Sequence, residues 1–246
     1  MHFKQEKFSL HGVSINFIES GKGPTLVFLP GWGTRPLTYK RALVLLSKKY
    51  HIISPELPGF SSYDPPKTIW NFGDYANFFS AFLESLPEKD VMLMGQSLGG
   101  GFALYTASQS KKVKKLILID AFGLPTEHNR IKLSLLYTYQ LVSDSLDIKL
   151  LSTTLNNIYN FCKSVRHLKY ITMLSYYIFD NQIGIDESIF HKITAPTIIL
   201  WGRRDTIFGK QTATNLQKSL PNSSLYFVNG THNWIIFHPE LIFPTL

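Results

Sequence analysis

A strand, a glycine-rich turn and a helix follow one another directly near the middle of this 246-residue chain, and this succession constrains the fold more than any other feature. The apolar run 91–94 predicts a buried strand, residues 95–99 a sharp turn, and residues 102–107 a helix. The glycines at 95 and 99 leave room for the strained backbone that such a turn imposes on Ser97. The turn would present the Ser97 hydroxyl as a nucleophile above a sheet edge; in the alternative interpretation, Ser97 only caps the helix.

The composition is that of a folded globular protein, with 44% hydrophobic and 17% charged residues. Its length suits one domain of the larger α/β kind with a full core. No apolar run approaches the roughly 18 residues that a membrane-spanning helix needs, so we expect no membrane span. The single cysteine, Cys162, cannot form an internal disulfide, which favours a reducing compartment and predicts a cytoplasmic location.

The formal net charge of +8 raises the question of a nucleic-acid partner. The lysines are scattered, however, and the densest cluster, at 111–115, lies between a predicted helix and a predicted strand. A solvated loop explains that cluster, and no segment resembles a nucleic-acid-binding module. We therefore predict no nucleic-acid partner.

Short strands and helices alternate along most of the chain. Residues 8–10 and 13–19 alternate apolar and polar side chains about His11-Gly12, which predicts an opening hairpin. The continuous apolar run at 25–29 is typical of a strand buried on both faces, and further strands are predicted at 51–54, 91–94, 116–119, 197–201 and 224–228. Helical spacing occurs at 37–48 and 71–86. The pattern predicts an α/β fold: a mostly parallel, twisted, eight-stranded sheet with helices on both faces.

The alternation stops between residues 123 and 193. This segment has no convincing buried strand and shows helical patterns rich in aromatic residues. We predict a helical cap insertion at 123–193, with the core formed by 1–122 and 194–246.

A serine nucleophile needs a base within hydrogen-bond reach, and histidine suits the task because its pKa lies near neutral pH. His232 follows the last predicted strand and should emerge where parallel strands present their functional loops. The rival, His238, starts the final helix. The imidazole in turn needs an acid to orient it. Asp205 follows the strand 197–201 at the same edge, and Asp120, at the tip of an earlier strand, is the competing acid.

Two backbone N–H groups should stabilise the oxyanion that forms during acyl transfer. The amide of Leu98 lies at the head of the predicted helix, and the amide of Trp32 lies in a glycine-rich loop after the strand 25–29. The Trp32 ring either lines an acyl pocket or packs on the core, and the sequence leaves both possibilities open.

With these residues assigned, the chain resembles the α/β-hydrolase superfamily, in the branch with a helical cap before the acid-bearing strand. The resemblance covers nearly all of the chain outside the cap and is carried by residues 29–33, 57–60, 95–100, 201–205 and 230–232. Nucleophile, acid and histidine follow the superfamily's chain order. The resemblance implies hydrolysis through an acyl-enzyme, with Ser97 as nucleophile, His232 as acid and base, and Asp205 orienting His232, without a metal or cofactor. Many relatives have His-Gly where this chain has Pro30-Gly31.

These observations predict a serine hydrolase that cleaves small-molecule carboxylic esters with apolar or aromatic, small to medium acyl groups. Candidate pocket residues are Trp32, Gln96, Tyr137, Tyr176 and Trp234. One alternative is a hydrolase of C–C bonds in dienone ring-fission products, which would need a cationic clamp from Arg35, Arg166 or Arg203-Arg204. The other is a non-catalytic ligand receptor that keeps the triad.

Overall fold

The computed structural model describes residues 2–61, 63, 65–68, 70–125 and 185–242, together with residues 131, 132, 135, 136, 139, 155 and 159. Eight strands form one sheet: β1 (Lys4–Leu10), β2 (Val13–Ser20), β3 (Thr25–Leu29), β4 (His51–Pro55), β5 (Val91–Gln96), β6 (Val113–Ile119), β7 (Thr197–Gly202) and β8 (Ser223–Val228).

The strand order is β1-β2-β4-β3-β5-β6-β7-β8. The pairs β1–β2 and β2–β4 are antiparallel, and the other five neighbouring pairs are parallel. The hairpin between β1 and β2 turns at His11 and Gly12, both with positive φ, as the sequence predicts. The central strand β3 is buried along its whole length, which explains its continuous apolar sequence.

Helices cover both faces of the sheet. The described helices are α1 (Lys40–Leu46), α2 (Phe72–Ser85), α3 (Leu98–Gln109), α4 (Gly209–Ser219) and α5 (Trp234–Phe237). Apolar side chains of α2, α3 and α4 enter one core cluster, and those of α1 and α5 enter the other. The predicted α/β fold, with a mostly parallel eight-stranded sheet between two helical layers, is confirmed.

The helix predicted at 37–48 is divided in the structure. A 3-10 turn at Pro36–Tyr39 precedes α1, which begins only at Lys40. Pro36 takes the first position of the turn, where its missing N–H costs no hydrogen bond. The turn brings Tyr39 into the core, where it is fully buried beneath β3 against Phe28.

The first residue of the predicted cap insertion, Gly123, contacts Ile185, which lies before the predicted end at 193. The backbone N–H of Ile185 donates to the carbonyl oxygen of Gly123 at 3.0 Å. Most of the residues between them lie outside the described part of the chain, so the cap at 123–193 and its boundaries stay a prediction.

Within the described residues, no helix combines the length and the apolar character that a bilayer crossing requires. The compartment inferred from the single cysteine stays a prediction.

Candidate active site

Ser97 occupies the turn between β5 and α3 in the strained geometry that the sequence predicts. Its φ and ψ are 52° and −123°, a conformation that a residue with a side chain rarely adopts. The surrounding backbone holds it there: the Ser97 N–H donates to Ile119, and the Ser97 carbonyl accepts from Gly100 and Phe122, each at 2.9 Å. The hydroxyl therefore lies at the positive end of α3, above the carboxyl edge of the sheet.

The His232 ring lies between Ser97 and Asp205. Its Nε2 lies 3.0 Å from Ser97 Oγ, and its Nδ1 lies 2.9 Å from Asp205 Oδ2. A carboxylate can only accept, so Nδ1 carries the proton and Nε2 of the neutral ring is left to accept from the serine hydroxyl. The alternative histidine, His238, is half exposed and pairs with Glu240 at the surface. The structure thus brings together the three residues that the sequence places at one sheet edge.

The Asp205 carboxylate is anchored on both oxygens. Oδ2 faces His232, while Oδ1 accepts from the backbone N–H groups of Ile207 at 2.8 Å and Phe208 at 3.2 Å. The Phe208 ring also packs edge-on against the imidazole, with centroids 5.3 Å apart. The carboxylate and the ring that it orients are therefore both fixed and shielded from water.

Asp120, the competing acid, takes a different place. One of its oxygens, Oδ1, accepts from the Gly202 N–H at 2.7 Å, and the carboxyl group is fully buried. Burial, reinforced by the neighbouring Asp205 carboxylate, raises the pKa of Asp120 well above its usual range. The imidazole nitrogen Nδ1 faces Asp205 at 2.9 Å, whereas Asp120 faces the Gly202 N–H, so Asp205 is the acid that contacts His232.

Asp120, Asp205 and His232 also place one potential metal-ligand atom each within 4.8 Å of the others. The Nδ1 nitrogen of His232 would have to give up Asp205 to bind an ion through that face. All three groups are buried. The bonds of His232 to Asp205 and to Ser97 match a histidine oriented as a general base better than a metal ligand.

The loop after β3 touches the start of α3, as an oxyanion site requires. A Cβ placed on Gly99 would lie 2.2 Å from the Leu29 carbonyl oxygen and 2.4 Å from that of Pro30, so only glycine allows this approach. Leu98 is the first residue of α3, where backbone N–H groups have no partner within the helix. The predicted donors Leu98 and Trp32 thus belong to two segments in direct contact.

Two of the predicted pocket residues, Trp32 and Gln96, make contacts within the protein core. The Trp32 ring is half buried and packs edge-on against Phe60, with centroids 6.5 Å apart, so core packing accounts for part of its surface. Gln96 is only 2% exposed and uses both ends of its amide within the protein, which leaves little of it for a ligand. Tyr137 and Tyr176 lie outside the described residues.

Trp234 does not line a pocket. It begins α5, which turns inward directly after His232, and the indole is wholly buried in the core cluster on the α1 face. Gly230 allows this course, because its missing side chain leaves room for the Trp234 side chain. The prediction from its position two residues after His232 is therefore wrong for this residue.

Sequence reasoning missed Tyr39 and Thr34. The Tyr39 hydroxyl accepts from the Gly31 N–H at 3.0 Å and donates to Gln96 at 2.8 Å. No local pattern could have revealed this, because Tyr39 and Gln96 are 57 positions apart. The parallel pairing of β3 with β5 brings these two residues together.

Comparison with known proteins agrees with this fold. Over 257 residues the chain is 25% identical to the uncharacterized hydrolase YugF of Bacillus subtilis (strain 168), covering 96% of this chain and 94% of the relative. Over 247 residues it is 21% identical to the 2-hydroxy-6-oxo-6-(2'-aminophenyl)hexa-2,4-dienoic acid hydrolase of Metapseudomonas resinovorans, covering 93% of this chain and 84% of the relative. A putative lipase structure from Acinetobacter baumannii AYE superposes with a TM-score of 0.78 at 22% identity, covering 99% of this chain and 89% of that one.

The family model described as the alpha/beta hydrolase fold matches residues 24–163, more than half of the chain. This segment contains the parallel strands β3 to β6 and the strained serine turn. Together with the strand order and the Ser-His-Asp geometry, the match shows that the chain belongs to the α/β-hydrolase family.

Proposed function

We propose that this hydrolase cleaves carboxylic esters through an acyl-enzyme, with Ser97, His232 and Asp205 as its catalytic triad. One observation carries the proposal: a single buried imidazole bonds Ser97 Oγ on one side and Asp205 on the other, at 3.0 and 2.9 Å. A structural serine that only capped α3 would accept a helix N–H through its side chain, and Ser97 makes no such bond.

The geometry supports a two-step reaction. Ser97 Oγ attacks the ester carbonyl as its proton passes to His232 Nε2, and Asp205 stabilises the resulting imidazolium through Nδ1. The backbone N–H groups of Leu98 and Trp32 would hold the oxyanion. His232 then returns the proton to the leaving alcohol, and a water molecule activated by the same nitrogen hydrolyses the acyl-enzyme.

Aromatic residues border this site and favour an apolar acyl or aryl group. Phe208 packs against His232, and Phe122, whose N–H bonds the Ser97 carbonyl, lies 6.2 Å from the Phe208 ring. Apolar walls with few polar groups are typical of small-molecule pockets. We therefore propose esters of small to medium apolar or aromatic acids as the substrate class.

The test is a panel of p-nitrophenyl esters graded by acyl length, assayed with the wild type and with Ser97→Ala. We expect Ser97→Ala to lower kcat/KM by about 10³-fold or more while leaving the fold intact. Ser108→Ala is the matched control, because Ser108 lies near the other end of α3 and its hydroxyl donates to the Tyr105 carbonyl oxygen at 2.7 Å within that helix. Turnover by Ser97→Ala at the wild-type rate would contradict the proposal.

A second candidate is hydrolysis of a C–C bond in a dienone acid, favoured by the relative from Metapseudomonas resinovorans. That chemistry needs a cation for the substrate carboxylate. Arg35 is buried and already faces Glu56 at 3.7 Å, and Arg203 and Arg204 are exposed, whereas Arg166 lies outside the described residues. The ester proposal therefore has the better support.

Incubation with a ring-fission dienone acid, alongside the ester panel, separates the two. Preferred cleavage of the dienone would replace the ester assignment. A wild type that turns over neither substrate, yet gains thermal stability with one of them, would instead support the receptor alternative.

A further inference from the structure

A buried set of hydrogen bonds joins the loop after β3 to the loop that carries His232. Its centre is the Tyr39 hydroxyl, which lies 3.0 Å from the Gly31 nitrogen, 3.1 Å from Thr34 Oγ1 and 2.8 Å from Gln96 Oε1. From Gln96 the chain of bonds continues through Nε2 to the His232 carbonyl oxygen at 3.2 Å. Gln96 immediately precedes Ser97, so these hydrogen bonds lie next to the proposed nucleophile.

The direction of each bond follows from the chemistry of its groups. The Gly31 N–H can only donate, so the Tyr39 oxygen accepts from it and gives its own proton to an acceptor. The Gln96 amide must turn Nε2 toward the His232 carbonyl oxygen. In the flipped orientation Gln96 Oε1 would face that oxygen instead, and two acceptors cannot form a hydrogen bond. Oε1 is thereby left to accept from Tyr39. Burial raises the pKa of Tyr39 to about 12, so the phenol keeps this proton across the working pH range.

Thr34 bonds the carbonyl group of Gly31, whereas Tyr39 bonds its N–H group. Its Oγ1 donates to the Gly31 carbonyl oxygen at 2.7 Å. The peptide between Gly31 and Trp32 is planar and trans, so its C=O and N–H point in opposite directions. Fixing the Gly31 carbonyl therefore fixes the direction of the Trp32 N–H, which is the second proposed oxyanion donor.

The absence of a side chain at Gly31 lets the loop after β3 lie close to Gln96 and Ser97. A Cβ on Gly31 would lie 2.4 Å from Gln96 Oε1 and 3.3 Å from Ser97 Cβ. Only glycine lets the loop come close enough for Tyr39 and Gln96 to join it. With Tyr39 and Gln96 fully buried, the hydrogen bonds are shielded from competing water.

We propose that Tyr39, acting with Thr34 and Gln96, is a positioning residue that holds the oxyanion loop and the histidine loop in their catalytic arrangement around Ser97. This inference rests on the proposed esterase function. Tyr39 and Gln96 are buried and bond other groups of the protein, so we expect neither to bind substrate directly, although the sequence places Gln96 among the candidate pocket residues. Their effect should therefore appear in the transition state and not in substrate binding, since a small misplacement of an oxyanion donor costs rate.

The experiment compares Tyr39→Phe with Tyr75→Phe. Tyr75 is equally buried, but it packs against Phe102 and Trp70 in the core cluster of α2 and α3, whereas Tyr39 lies in the core cluster of α1. We expect Tyr39→Phe to lower kcat/KM for p-nitrophenyl esters by about 10–100-fold with KM within about twofold. Its affinity for a trifluoromethyl ketone inhibitor, which forms the oxyanion, should fall by a similar factor. Tyr75→Phe should change neither quantity.

Thr34→Val tests the same inference at the half-buried edge of the set, should Tyr39→Phe fold poorly. It removes the hydroxyl that fixes the Gly31 carbonyl, and we expect the same parallel loss of kcat and of inhibitor affinity. The inference is overturned if the folded variants keep kcat/KM and inhibitor affinity within twofold of the wild type. It is also overturned if KM rises while kcat stays unchanged, since that result indicates a role in substrate binding.

The rate at which a fluorophosphonate labels Ser97 separates this inference from the proposed function. Labelling needs the activated serine and the oxyanion donors but no ester turnover. A wild type that is labelled yet cleaves no ester would contradict the proposed function, while slower labelling of Tyr39→Phe would still support the positioning role. Equal labelling of wild type and Tyr39→Phe would contradict the positioning role alone, and a wild type that is not labelled contradicts both.

Discussion

Asp120 and Asp205 hold two carboxyl groups side by side in the interior, and only Asp205 contacts the imidazole. Each lies within 4.8 Å of the other and of His232, measured between their nearest ligand-type atoms. The Asp205 carboxylate accepts hydrogen bonds from the backbone N–H groups of Ile207 and Phe208. Asp120 accepts from the Gly202 N–H, and burial raises its pKa. Burial of the Asp120 carboxyl group, and after it the closeness of a second carboxylate in a dry site, disfavour the charged form of Asp120 and raise its pKa.

This arrangement predicts how Asp120→Asn changes stability with pH. A carboxyl group whose folded pKa is raised binds its proton more tightly in the folded chain, so the free energy of unfolding falls as pH rises above the unfolded pKa of about 4. Asparagine cannot titrate, and its Oδ1 can still accept from Gly202. Relative to wild type, Asp120→Asn should therefore gain stability from pH 5 toward pH 8, at no more than about 1.4 kcal/mol per pH unit. Urea unfolding at several pH values measures this.

Asp186→Asn is the control for that experiment. Asp186 is exposed, and a hydrogen bond from the Ser188 N–H lowers its pKa. Its contribution to stability is present above the unfolded pKa and is lost only as pH falls below it. The stability difference for Asp186→Asn should thus stay constant between pH 5 and pH 8. A constant difference for Asp120→Asn as well would show that Asp120 is ionised.

Asp205→Asn should abolish most of the activity by selecting the wrong tautomer of His232. The amide oxygen would keep accepting from Ile207 and Phe208, which turns the NH₂ group toward His232 Nδ1. Nδ1 must then accept, so Nε2 carries the proton and can no longer take one from Ser97. We expect kcat to fall by about 10³–10⁴-fold, measured with the preferred ester.

Asp120→Asn serves as the matched variant in this second assay. It changes a carboxyl group next to the triad without touching the bond to the imidazole, so its kcat should stay within about tenfold of the wild type. A larger loss in Asp120→Asn than in Asp205→Asn would reverse the assignment of the two acids.

Gly99→Ala should disrupt the contact between the β3 loop and α3. The added Cβ would meet two backbone carbonyl oxygens, of Leu29 and Pro30, and neither can rotate away as a side chain does. We expect a loss of about 1–3 kcal/mol in the free energy of unfolding. Because the displaced loop carries the Trp32 N–H, kcat/KM should also fall. Chemical denaturation and the ester assay measure the two effects.

Gly73→Ala, in the first turn of α2, gives the comparison for Gly99→Ala. Its nearest neighbour is a side-chain atom, Asn71 Oδ1, at 3.1 Å, and alanine favours the helix by about 1 kcal/mol. Stability should change by less than about 1 kcal/mol, with activity unaffected. Equal losses in both variants would contradict a specific role for the approach at Gly99.

Sequence patterns predicted the parts of the site that depend on local signals. Ser97 lies between glycines, and Asp205 and His232 each follow a predicted strand, so parallel pairing brings all three to one edge. Trp234 could not be placed by the same reasoning, because the inward turn of α5 depends on its packing against the sheet.

The hydrogen bonds that support the site were beyond prediction for a related reason. Gln96 bonds residues 57 and 136 positions away, and no local pattern links Gln96 to Tyr39 or to the carbonyl group of His232. The sequence already favours Asp205 as the acid, although Asp120 also follows a strand at the same edge. The two N–H groups of Ile207 and Phe208, which follow from the local turn after β7, decide in favour of Asp205.

The buried pair of Arg35 and Glu56 yields the last prediction. Glu56 lies 3.7 Å from the guanidinium and also accepts from Ser61 Oγ at 2.7 Å, with all three residues buried. Glu56→Gln removes the carboxylate that faces the buried guanidinium, and breaking a buried ion pair in this way should cost about 3–5 kcal/mol of unfolding free energy in urea. Glu240→Gln, at an exposed pair with His238, should cost less than about 1 kcal/mol. If Glu56→Gln were equally mild, another group of the protein would satisfy the Arg35 guanidinium, and Arg35 would be still less available as a substrate-carboxylate clamp.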